Sequence, residues 1–89
     1  MSWSTVPGVP ERLAEALDRV GASPDARPDD WVDAAAAAVD RIADEGQREA
    51  AYALLAADAL VTWACERAAQ QPDAQRALER VLVRVREAM

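Results

Sequence analysis

The chain has 89 residues, 16 of them acidic and 10 basic, which gives a formal net charge of −6. An acidic chain lacks the basic surface that nucleic-acid binding requires, so the composition argues against a nucleic-acid partner. The chain contains no histidine, which excludes the commonest general base, the classical serine and cysteine triads and histidine-ligated metals.

Residues 1–9 are predicted to form an extended N-terminal arm, because Pro7 and Gly8 interrupt regular structure. Trp3 in this arm either docks on the rest of the chain or stays disordered. Residues 10–89 are predicted to form a single helical-bundle domain. Its first helix spans residues 10–20, with Pro10 as the first helical residue and Gly21 as the stop.

The second helix follows a loop with two prolines, and Asp29 or Asp30 is expected to cap its start. Asp44 and Gln47 resemble a capping box, and Gly46 weakens a continuous helix. These residues predict a turn at 44–46, and one long kinked helix over residues 30–70 is the alternative. The apolar seam of the second helix comprises Val32, Ala35, Val39 and Ile42.

The third helix is predicted over residues 47–70, and Pro72 then prevents its continuation. The fourth is predicted over residues 73–88, with a seam of Ala74, Leu78, Val81, Val85 and Ala88. No segment has the alternating pattern of a strand. The predicted fold class is therefore all-α: a compact antiparallel bundle of four helices, one of them short, with an Ala-rich close-packed core.

The third helix carries apolar residues on two opposite faces. The face assigned to the core comprises Ala50, Leu54, Ala57, Val61, Ala64 and Ala68, flanked by Ala53 and Leu60. The opposite face comprises Tyr52, Leu55, Ala56, Ala59 and Trp63. A helix that is apolar all round is normally buried, and so short a chain cannot easily surround one of its own helices. We therefore expect a second copy, in a twofold dimer, or a partner helix to cover this face.

The predicted interface residues are Tyr52, Leu55, Asp58, Ala59, Thr62 and Trp63. Asp58 has three candidate roles: a solvated carboxylate at the edge of the face, a hydrogen-bond or ion-pair partner for an arginine, and a ligand-binding or metal-binding carboxylate. A buried carboxylate requires a partner, since burying it alone costs several kcal/mol. The candidate arginines are Arg27, Arg41, Arg84 and Arg86.

Charged residues also form rows on two helices. Asp33, Asp40 and Asp44 lie on one stripe of the second helix, and the fourth helix carries an arginine every four residues, at positions 76, 80 and 84. The rows are either two solvated faces or surfaces of opposite charge that orient one chain against another.

Two acid pairs give an enzyme alternative. Glu15 with Asp18, and Asp30 with Asp33, place carboxylates on single helical faces, and carboxylate oxygens suit magnesium. Helical nucleotide pyrophosphatases hold magnesium with paired acids, but this chain has no lysine for a substrate phosphate. We predict no catalytic residue, no metal ligand and no cofactor, so the composition argues against an enzyme. A binder of an apolar small ligand between helices is a further alternative.

The sequence predicts the cytoplasm as the default location of the protein. The single cysteine, Cys65, cannot form a disulfide within the chain. We expect neither a signal peptide nor a membrane span, because no basic-then-apolar leader opens the sequence and its least charged window is short and contains Asp58. The function predicted from the sequence is that of a small, non-enzymatic, cytoplasmic helical interaction module that acts through homo-oligomerisation or binding of a partner helix.

Overall fold

The computed structural model describes residues 2–88, which form four α-helices and two 3₁₀ turns. The helices are α1 (Glu11–Arg19), α2 (Pro28–Arg41), α3 (Gln47–Ala69) and α4 (Ala74–Ala88), and the turns are Trp3–Thr5 and Ile42–Asp44. The predicted all-α antiparallel bundle with one short helix is confirmed, since α1 has only nine residues.

The first helix ends as the sequence predicts. Gly21 follows the last turn with a φ of 81°, a left-handed conformation that glycine adopts without a steric penalty. The backbone N–H groups of Gly21 and Ala22 donate to the carbonyls of Asp18 and Leu17, which completes a Schellman motif. At the other end Pro10 lies just before the helix and not in its first turn.

The start of α2 differs from the prediction. Pro28 occupies the first turn and Arg27 is the residue that precedes it, so neither Asp29 nor Asp30 is the N-cap. Proline suits this position because the first N–H groups of a helix have no partner within it. The two aspartates lie in the first turn instead, where their charge favours the positive end of the helix dipole.

The turn predicted at residues 44–46 is present, and the single long helix is wrong. The chain passes through the 3₁₀ turn Ile42–Asp44 and then becomes extended at Glu45 and Gly46. The capping-box prediction is also wrong, because Gly46 precedes α3 and no side chain caps this helix. Asp44 belongs to the preceding 3₁₀ turn.

The third helix is the centre of the bundle. Helices α2 and α4 pack against α3 and against each other, and α1 packs on α3 and the first 3₁₀ turn. Among the described residues, eleven of the seventeen buried apolar side chains are alanine, as the predicted core composition requires. The largest fully buried side chains are Leu17, Val32 and Leu60.

Two residues assigned to the core are exposed. Leu54 is 57% exposed and Val39 is 40% exposed, so both assignments are wrong. The buried residues of α3 are Ala53, Ala56, Ala57, Leu60, Ala64 and Ala68. The core face of α3 is thus rotated away from Leu54 and towards Ala56, because neighbours cover this helix on three sides and not on one.

The N-terminal segment is one of the neighbours that pack on α3. The arm predicted for residues 1–9 is not extended throughout, since Trp3–Thr5 forms a 3₁₀ turn; Met1, like Met89 at the other end, lies outside the described residues. Trp3 is 3% exposed and belongs to the core. Of its two alternatives, docked or disordered, the structure gives the docked one.

Candidate functional site

The solvent-facing side of α3 is long and nearly uncharged. We call it the outer face, and it comprises the exposed residues Ala51, Leu54, Leu55, Asp58 and Thr62. Leu54 and Leu55 are 57% and 49% exposed, and Asp58 is the one charged residue of the face. Arg48 and Glu66, also exposed, border it towards the two ends of the helix.

The predicted interface residues have different environments. Leu55, Asp58 and Thr62 lie on the outer face, and Tyr52 and Ala59 are half-buried at its edge. Trp63 is half-buried and its ring stacks on that of Trp3, with 5.2 Å between centroids. The structure therefore brings the first five together along one side of α3, while Trp63 packs within its own chain.

Asp58 is solvated in this structure. It is exposed, and no hydrogen bond or ion pair involves it within residues 2–88. One of its candidate partners, Arg84, is bound to Asp33 instead. An exposed carboxylate carries no desolvation cost that a partner would need to offset.

A cluster of three tryptophans packs on a side of α3 away from the outer face. Trp3 stacks on Trp63 and lies 6.0 Å from Trp31. The indole N–H of Trp3 donates to the carbonyl of Ala22 at 2.9 Å, and that of Trp31 to Ser23 at 2.8 Å. The cluster thus joins the N-terminal arm, α3 and the loop before α2, a contact that the sequence pattern does not predict. The available signal was composition: three tryptophans and no phenylalanine make tryptophan the main source of large buried area.

Arg67 completes this cluster from α3. Its guanidinium lies over the Trp31 ring, 4.1 Å from the centroid, and donates to the carbonyl of Ala26 at 3.0 Å. A cation above an indole face is favourable, and more so when it is partly desolvated. Three carbonyls of one loop, those of residues 22, 23 and 26, therefore accept hydrogen bonds from side chains of three different segments.

An open cleft of about 490 Å³ lies beside the tryptophans. Its polar lining includes the indoles of Trp3 and Trp31 and the guanidinium of Arg67. Both indole N–H groups and one nitrogen of the guanidinium donate to backbone carbonyls. A small-molecule site requires a few free polar groups to orient its ligand. Asp25, Glu66 and Gln70 also line the cleft, so the binding of a small ligand between helices stays a prediction.

The two acid pairs have structural contacts. Asp18 accepts hydrogen bonds from the Ser2 hydroxyl at 2.8 Å and from the backbone N–H of Trp3 at 3.3 Å. Asp33 accepts two from Arg84, at 2.9 and 2.6 Å, and these bonds hold the pKa of Asp33 below its ordinary value. Within residues 2–88 no three His, Cys, Asp or Glu side chains come together as metal ligands would.

The contact between Asp33 and Arg84 also joins the two charged rows. It links α2 to α4 within one chain, so part of the predicted complementarity is intramolecular. Arg80 lies 3.6 Å from Asp73 in a second, more exposed ion pair.

Among the described residues, the outer face of α3 is thus a surface whose large apolar side chains stay exposed, and Leu82 and Val83 of α4 are exposed to a similar extent. None of the helices described combines the length and the apolar character needed to cross a membrane. Comparison with protein-family models, with curated proteins and with solved structures finds no match to this chain.

Proposed function

We propose that the chain is a helical interaction module that self-associates, with a second copy packing on the outer face of α3. The observation that carries the proposal is the exposure of Leu54 and Leu55 on a face with a single charge, Asp58. Exposed apolar residues are ordinary when scattered, but a contiguous apolar surface on a small protein is typical of an interaction site.

The total surface area leaves room for an interface of ordinary size. The chain exposes 5752 Å², whereas a compact monomer of its mass is expected to expose about 5,100 Å². The excess of about 650 Å² is close to what one partner loses in an interface of standard size. The shape explains the excess, since the extents of 40 × 29 × 15 Å describe a flat molecule.

The side chains on and beside the outer face also suit contact between proteins. Tyr52 and Trp63 are of the residue types enriched at binding hot spots. Tyr52 is available at the edge of the face, whereas Trp63 stacks on Trp3, so we assign the contact to Tyr52, Leu55 and Thr62. The cytoplasm is the default location that goes with this proposal, since a lone cysteine gives no indication of the disulfides typical of an oxidising compartment.

The test is the dependence of mass on concentration, measured by light scattering after size exclusion from micromolar to millimolar protein. We expect the wild type to approach twice the monomer mass and Leu55→Glu to stay monomeric, because a second copy cannot bury the new charge without a partner. The matched control is Val83→Glu, since Val83 has a similar exposure of 47% but lies on α4 in a groove beside Asp29 and Arg80. A wild type that stays monomeric, or a Val83→Glu variant that dissociates as Leu55→Glu does, would overturn the proposal.

A further inference from the structure

We infer that the two copies pack with their α3 helices antiparallel, in the register that places Arg48 of one copy opposite the partner's Glu66. This inference rests on the proposed self-association and adds its orientation and register. It follows from the order of side chains along one row of α3, which we call the seam: Arg48, Tyr52, Leu55, Ala59, Thr62 and Glu66.

The seam has the geometry of a helix–helix contact. Its residues are separated by alternating steps of four and three, which keeps them on one side of a helix and is the spacing of paired helices. Arg48, Leu55, Thr62 and Glu66 are exposed, and Tyr52 and Ala59 are half-buried. No seam residue is fully buried by its own chain, and Arg48 and Tyr52 also line a cleft against α1.

The seam is complementary to itself when it is reversed. In an antiparallel pair centred at residue 57, the two members of each layer have sequence numbers that sum to 114. Arg48 then meets the partner's Glu66, so that opposite charges face each other at both ends. Tyr52 meets the partner's Thr62, two side chains with hydroxyl groups that can share a hydrogen bond. Leu55 meets the partner's Ala59, which pairs a large side chain with a small one and permits close approach of the helices.

Charge distinguishes this arrangement from its alternatives. In a parallel pair each residue meets its own copy, so Arg48 faces the partner's Arg48 and Glu66 faces the partner's Glu66, and both contacts are repulsive. An antiparallel register shifted by seven residues places Arg48 opposite the partner's Ala59 and leaves Glu66 beyond the contact. Neither Arg48 nor Glu66 forms an ion pair within residues 2–88, so both charges are available to a second copy.

Charge reversal tests the register. In Arg48→Glu or Glu66→Arg alone, like charges face each other at both ends of the dimer. We expect either change to raise the dissociation constant about tenfold at low salt. The double variant, Arg48→Glu with Glu66→Arg, restores opposite charges and should return the constant to near the wild-type value. The matched control is Arg76→Glu, an exposed reversal on α4 outside the seam, which should leave the constant unchanged.

The readout is the dissociation constant from sedimentation equilibrium, with the thermal midpoint from circular dichroism as a check on folding. Because Arg48 and Glu66 are exposed, the midpoint extrapolated to low concentration should match the wild type. Two outcomes overturn the register and leave the self-association standing, provided that the wild type dimerises. In the first, the single reversals have the dissociation constant of the wild type. In the second, the double variant does not regain that constant. A wild type that is monomeric throughout overturns both the register and the self-association.

Discussion

Replacing Trp3 with alanine tests whether the N-terminal segment is part of the core. Trp3 is 3% exposed in the structure, and a buried aromatic of this size removes 150–250 Å² from water, of which truncation forfeits roughly 150 Å². At about 25 cal/mol per Å² the loss is about 4 kcal/mol. The hydrogen bond from its indole to Ala22 adds about 1 kcal/mol.

The predicted cost of Trp3→Ala is therefore about 4–5 kcal/mol, near the upper end of measured tryptophan truncations. A domain of this length has a free energy of unfolding of about 4–13 kcal/mol in all. The variant should accordingly lose about 16–40 °C in thermal midpoint, at 4–8 °C per kcal/mol. Urea unfolding followed by far-ultraviolet circular dichroism is the suitable assay, because the substitution removes a fluorophore.

Trp3→Phe separates packing from hydrogen bonding at the same position. Phenylalanine keeps a ring to stack on Trp63 but donates no hydrogen bond to Ala22, so a loss of about 1–2 kcal/mol is expected. This milder variant also decides the matter if Trp3→Ala does not fold. A loss below about 1 kcal/mol for the alanine variant would refute the reasoning, because that is the size of an ordinary surface substitution.

Two further predictions concern charges. Because Arg84 lowers the pKa of Asp33 in the folded state, their pair stabilises the fold above the unfolded pKa of Asp, near 3.9, and this contribution is lost as pH falls through the lowered value. The urea midpoint of the wild type should thus fall more steeply between about pH 5 and pH 2 than the midpoint of Arg84→Gln. The difference should be small, because both side chains are more than 40% exposed. Midpoints that fall in parallel for the two proteins would contradict this. In the proposed antiparallel pair Asp58 would lie beside the partner's Asp58, so Asp58→Asn should tighten the dimer about twofold by removing repulsion. Asp58→Leu should tighten the dimer more, because it adds apolar area to the contact. Both variants are measured by sedimentation equilibrium, and curves that coincide with the wild type would place Asp58 outside the contact.

The helices were predictable because their ends depend on local chemistry. Gly21 ends α1 through a left-handed conformation, and Pro72 falls in the short break between α3 and α4. Gly46 marks the break between α2 and α3, although as the residue before the helix and not within a capping box. Such features act over a few residues, so sequence spacing contains the needed information.

The side that each helix turns to the core was harder to predict, and α3 shows why. Alanine occupies so many positions of this helix that several faces have the same apolar spacing, and the pattern does not distinguish Leu54 from Ala56. The structure buries Ala56 completely and leaves Leu54 57% exposed. The choice depends on which neighbours arrive, and one of them, Trp3, is sixty residues away in sequence from Trp63, on which it stacks. Contacts over such separations leave no periodic signal in the sequence.

The same arrangement bears on how strongly two copies would hold together. The fold covers α3 with α1, α2 and α4, and Trp3 of the N-terminal segment stacks on Trp63, so only one side of the helix is left for a partner. That side offers Leu55 and Tyr52 as its larger contacts, and Asp58 introduces a pair of like charges beside the twofold axis. Obligate dimers generally bury larger and more apolar surfaces than this. The balance therefore favours a reversible dimer whose population follows protein concentration, with the charges of Arg48 and Glu66 setting its orientation more than its strength.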